Sequence, residues 1–86
     1  MTPLSPRIVA VEPLDNYRLA LTFKNGERGV FDCTEYLESG VFQELKDERY
    51  FRRVQLWKEA GTIHWPNGQD FCPDSLYVGS EKELNK

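Results

Sequence analysis

A small α+β domain is what this sequence predicts: an antiparallel β-sheet of hairpins with short helices packed on one side. Three observations predict it. Apolar residues alternate with polar ones along 17–23. Two Asn-Gly pairs, at 25–26 and 67–68, each stand between strand-like runs. The helical patterns, in 34–51 and 73–79, are short and separate from those runs. Hairpins set apart from helices pack as an antiparallel sheet with a helical cover. The 86 residues suit one domain, because a chain of this size buries only roughly two-thirds of its unfolded surface. Residues 1–6 carry two prolines and are expected as a loose lead-in, 7–79 as the single globular domain, and 80–86 as a polar, frayed tail.

The run Ile8-Val9-Ala10-Val11, closed by Glu12-Pro13, predicts a first strand, and Leu14-Asp15-Asn16 a turn. Tyr17, Leu19, Leu21 and Phe23 then share one strand face, with Arg18 and Thr22 on the other. Asn25-Gly26 supplies the positive φ angles of a tight turn, so Arg28 to Asp32 returns antiparallel. Two registers remain open. A two-residue loop pairs Leu21 with Val30, whereas a bulge after Gly26 brings Phe31 beside Leu19. Thr34 is the expected N-cap of a short helix, Glu35 to Ser39, stopped by Gly40. Val41, Phe42 and Leu45 mark another helical turn, and Asp47 caps a third piece carrying Tyr50 and Phe51 inward. Val54 to Trp57 and Thr62 to Trp65 read as paired strands. Across Asn67-Gly68 the return strand is expected to set Trp65 opposite Asp70 and Ile63 near Cys72, with His64 and Phe71 on the other face. Pro66 belongs at an edge or turn flank. Pro73-Asp74-Ser75 opens a last helical turn, with Asp74 as cap and Leu76 and Tyr77 as anchors, ended by Gly79.

Composition narrows the function classes. With 40% hydrophobic and 13% aromatic residues the chain is built to fold. No apolar run reaches membrane-spanning length and no secretory leader opens the sequence, so a cytoplasmic location is the expectation. The two cysteines, Cys33 and Cys72, are then expected as free, small buried hydrophobes. The net charge of −3 argues against nucleic-acid binding, whose affinity comes largely from releasing phosphate counterions onto a basic surface. The locally basic set Lys46, Arg49, Arg52, Arg53 and Lys58 is the one route to it, and it is diluted by Asp47, Glu48 and Glu59.

His64 is the single histidine, so cysteine-based catalysis requires His64 beside Cys72 or Cys33, oriented by an acid such as Asp70. A metal site would draw on the same residues with Asp74, a set suited to zinc, but the spacing contains no C-x-x-C or H-x-x-x-H half-site. Asp32 and Glu35 flank Cys33 as Asp70 and Asp74 flank Cys72, though turn and cap roles account for these carboxylates more simply. No phosphate-binding loop occurs. The expectation is therefore no cofactor, no metal and no catalytic residue. Trp57, Trp65, Phe71 and Tyr77 cluster in the final third, as core or as a contact patch. The candidate interaction surface is the edge from Trp65 to Asp70, with Trp57, Asn67 and Tyr77 beside it, open to a protein partner or a second copy.

Phe23-Lys24-Asn25-Gly26-Glu27, Phe31-Asp32, Phe42, Leu45 and Phe51, followed by Ile63-His64-Trp65-Pro66-Asn67-Gly68-Gln69-Asp70 and Pro73-Asp74-Ser75-Leu76-Tyr77, resemble the domain-of-unknown-function family 2442 over roughly residues 6–78. The resemblance implies a small bacterial protein with no assigned activity and no catalytic residues to carry over. Some relatives carry a helix-turn-helix domain after this one; the chain ends at Lys86, so DNA binding by that route is not expected of it. Relatives encoded beside another small protein, in the manner of toxin–antitoxin pairs, imply a protein partner.

Overall fold

The structure, a computed structural model, describes residues 5–82. It contains two antiparallel sheets. One, ordered β1-β2-β3-β7, comprises β1 (Ile8–Leu14), β2 (Arg18–Phe23), β3 (Arg28–Asp32) and β7 (Glu81–Lys82). The other, ordered β4-β5-β6, comprises β4 (Gln55–Trp57), β5 (Thr62–His64) and β6 (Asp70–Phe71). Between β3 and β4 lie two 3₁₀ segments, Thr34–Tyr36 and Gly40–Lys46, then α1 (Glu48–Phe51); α2 (Pro73–Gly79) joins β6 to β7. The α+β class predicted from hairpins and short helices is the one observed, with the hairpins divided between two sheets.

Period-two alternation builds the inner face of the larger sheet. Leu19, Leu21 and Phe23 of β2 and Phe31 of β3 are buried, and Ile8 joins them from β1. Ile63, Trp65 and Phe71 complete the core from the smaller sheet, with Leu45, Tyr50, Phe51 and Leu76 from the helical segments. Phe71 lies edge-on to Phe31 at 5.2 Å, which joins the two sheets. Cys33 is buried in this core, whereas Cys72 is exposed, contrary to its expected burial.

Both Asn-Gly turns resolve in the same way. The Gly26 N–H donates to the Phe23 carbonyl and the Phe23 N–H to the Glu27 carbonyl, at 2.9 and 2.8 Å. Gly26 is left-handed, with φ 92°. This three-residue loop with a glycine bulge selects the second of the open registers, and Leu19 pairs with Phe31. At Trp65 to Gln69 the same bonds recur at 2.9 Å each, with Gly68 at φ 98°. The extra loop residue displaces the expected pairing there by one. His64, rather than Trp65, stands opposite Asp70, and Ile63 pairs with Phe71 rather than Cys72. Phe71 therefore faces the core and Asp70 faces solvent, because a one-residue slip exchanges the faces of a strand.

Other expectations shift locally. Tyr17 belongs to the first turn, left-handed at φ 59° after Asn16 at φ 63°. Its ring packs edge-on to Phe51 at 5.5 Å and its hydroxyl donates to the Lys46 carbonyl, which holds a bulky residue in that unusual region. Thr34 is not a cap. The Asp32 carboxylate accepts from the Thr34 N–H and hydroxyl at 2.9 and 2.7 Å. Asp47 caps α1 as expected, accepting from the Arg49 N–H at 3.0 Å. Asp74 makes no cap bond; Cys72 occupies that position without a side-chain bond and Pro73 starts the helix. Glu81 and Lys82, expected in the frayed tail, pair with Val30 and Gly29. Residues 1–4 of the expected lead-in and 83–86 of the expected tail lie outside the described residues.

Candidate interaction site

The proposed contact residues separate into four environments. Trp65 is not at the surface. It is fully buried, and its indole N–H donates to the Phe51 carbonyl at 2.8 Å, so it closes the core over α1. Asn67 lies at the exposed turn, where its amide donates to Glu44 at 2.7 Å and its N–H to the Tyr50 hydroxyl at 2.8 Å. Tyr77 is half-buried on α2, and its hydroxyl donates to the Glu27 carboxylate.

What remains open is the outer face of the smaller sheet. Gln55, His64 and Asp70 form one row across its three strands. Trp57, two residues along β4, shares that face and is 39% exposed. Its ring lies over His64 with centroids 5.3 Å apart and planes tilted by 30°. The alternation that turns Leu56 and Ile63 inward turns these side chains outward.

The catalytic alternative used His64, Cys72 and Asp70. The shifted register makes His64 and Asp70 cross-strand neighbours, but no hydrogen bond joins them among the described residues. Cys72 stands beyond the strand, at the start of α2, and lines a separate pocket with Arg7, Ala60 and Asp74. Burial, helped by the Asp32 charge, pushes the Cys33 thiol up to about 12, so it holds no thiolate for attack at neutral pH. Among the described residues no three His, Cys, Asp or Glu side chains gather as a metal-holding group. In the basic segment, Lys46 pairs with Glu38 at 2.8 Å and Arg52 with Asp15 at 2.7 Å, while Arg49 and Arg53 are exposed.

A polar cluster absent from the sequence expectations locks the second Asn-Gly turn. Gln69 is 5% exposed; it accepts from the Tyr50 hydroxyl at 2.6 Å and donates to the Val41 carbonyl and Glu44 carboxylate at 3.0 and 2.8 Å. The bonds from Asn67 and Gln69 hold the Glu44 carboxyl below its ordinary value of 4.5. The available signal was a glutamine following Asn-Gly with a tyrosine upstream, which identifies no partner until the chain is folded. None of the described helices is long and apolar enough to cross a membrane.

Residues 8–82 match the family described as "Protein of unknown function (DUF2442)", and the chain belongs to that family. No curated protein and no solved structure matches it.

Proposed function

We propose that this DUF2442 member is a non-catalytic protein-interaction module whose contact face is the outer side of the β4-β5-β6 sheet. One observation carries the reading. Trp57 is held against His64 with 39% of its surface exposed, on the sheet face that also carries Gln55 and Asp70. A half-exposed tryptophan on a rigid strand offers large contact area at low entropic cost, which is why such residues dominate binding energy at interfaces. The partner is a second protein, such as the product of an adjoining gene, or another copy of this chain. A reducing compartment, the cytoplasm, suits the two free thiols.

The test compares wild type with Trp57→Ala, and with Val78→Ser on α2 as a control for an exposed apolar residue elsewhere. Light scattering after gel filtration reads self-association, and affinity capture from the native host reads partners. The expected result is a complex lost with Trp57→Ala and kept with Val78→Ser. A strict monomer with the same captured proteins for all three would overturn the reading.

A further inference from the structure

We infer that the groove between β1 and β4 receives an extended acidic segment of a partner protein; this rests on the interaction-module reading and specifies the partner's chemistry. The groove, about 220 Å³, is walled by Val9 and Leu56 and rimmed by Arg7, Lys24 and Lys58. Val9 is 46% exposed. The chain carries a net charge of −3, yet the charged residues lining this groove are all cations. Among the described residues none of the three is ion-paired, unlike Lys46 and Arg52 elsewhere.

The fold brings them together by backbone bonds. The Lys24 N–H donates to the Arg7 carbonyl at 2.7 Å, which ties the first Asn-Gly turn to the start of β1. The Arg7 guanidinium donates to the Lys58 and Glu59 carbonyls at 2.7 and 3.0 Å, which ties the same point to the β4–β5 turn. Its side chain lies flat across Gly61, where a β-carbon would meet the guanidinium carbon at 2.9 Å. Gly61 is also left-handed, at φ 70°. Arg7 is therefore pre-organised, with little rotamer freedom left to lose on binding.

An apolar slot between two strand edges suits an extended segment inserting one apolar side chain. The cationic rim then selects carboxylates on either side of it. Nucleic acid fits less well, because three cations on an acidic protein release few counterions.

The experiment is an NMR titration of the labelled protein at low salt with a short peptide alternating glutamate and leucine, and with its lysine counterpart. The acidic peptide is expected to shift the amides of Arg7, Val9, Lys24, Leu56 and Lys58, and the lysine peptide is not. The double variant Lys24→Glu/Lys58→Glu is expected to weaken binding by about tenfold or more, as is added salt. Arg49→Glu/Arg53→Glu, of equal charge change, is expected to leave it intact. No shifts, shifts elsewhere, equal response to both peptides, or stronger binding of duplex DNA would overturn the inference. Those failures leave the Trp57 comparison standing as the separate test of the module reading.

Discussion

The two Asn-Gly turns share one backbone and play different parts. In each, a buried aromatic residue, Phe23 or Trp65, opens a three-residue loop closed by a left-handed glycine. The residue after the glycine then diverges. Glu27 is exposed and bonded at the surface to Tyr77 and Asn25. Gln69 is buried and bonded to Tyr50, Val41 and Glu44. The first turn is held at the surface, by the start of β1 and by Tyr77 of α2, and the second is a plug seated in the helical layer. A local code sets the geometry of a turn, while the surface it lands on sets what the turn does.

The largest effects test the aromatic residues. Trp65→Ala and Phe23→Ala are each expected to cost about 3–5 kcal/mol in urea unfolding. Trp65→Ala is expected to cost more, since it also takes the 2.8 Å indole bond from the Phe51 carbonyl, leaving that group only the longer 3.3 Å bond from the Val54 N–H. A smaller loss for Trp65→Ala would break the comparison. The residue after glycine comes next. Gln69→Ala leaves the Tyr50 hydroxyl short of a buried acceptor, at an expected cost of about 1–3 kcal/mol, while Glu27→Ala leaves the unfolding midpoint within experimental scatter. Equal effects would mean that the second turn is not seated as described.

Gly26→Ala and Gly68→Ala sharpen the shared part. A β-carbon meets nothing within 4 Å at either position, so each change registers only the left-handed backbone, about 1 kcal/mol. Unequal losses in urea unfolding would show that the two loops differ in strain.

The smallest effect is a titration. The Tyr77 hydroxyl, then Asn25, holds the Glu27 carboxyl below its ordinary 4.5. A carboxyl depressed by folding adds stability above its unfolded value, and that contribution is lost as pH falls through the folded value. The same bond raises the Tyr77 phenol above 10.0. That contribution is present below the unfolded value and is lost as pH rises through the folded one. Tyr77→Phe is expected to return the Glu27 carboxyl toward 4.5 in a carbon-detected NMR titration, with Glu44, held by Asn67 and Gln69, unmoved. A Glu27 carboxyl unchanged in Tyr77→Phe would show that the bond is not formed.

The fold was largely legible where a pattern repeats locally. The alternation of Leu19, Leu21 and Phe23, the cap at Asp47 and the sites of both Asn-Gly turns depend on neighbours a few residues away. The candidate contact site was legible only in part. Trp57 and Trp65 are the same residue type on consecutive strand segments, yet one is exposed and the other fully buried. The pairing of β4 with β5 separates them: Trp57 stands opposite Thr62, on the face away from Ile63, whereas Trp65 follows Ile63 by two residues and turns inward with it. Glu44, Tyr50 and Gln69 gave no warning, because polar residues far apart in sequence meet only after the chain has packed.

By itself, the order of residues determined the hairpins, the short helices and an apolar set sufficient for one core, because backbone sterics and hydrophobic periodicity act over a few neighbours. Tertiary structure alone decided the division into two sheets, the pairing of Glu81–Lys82 with β3, the seating of Gln69 and the gathering of Arg7, Lys24 and Lys58. Those features join residues that are distant along the chain, and such residues become neighbours only when burial of the shared core brings their elements together.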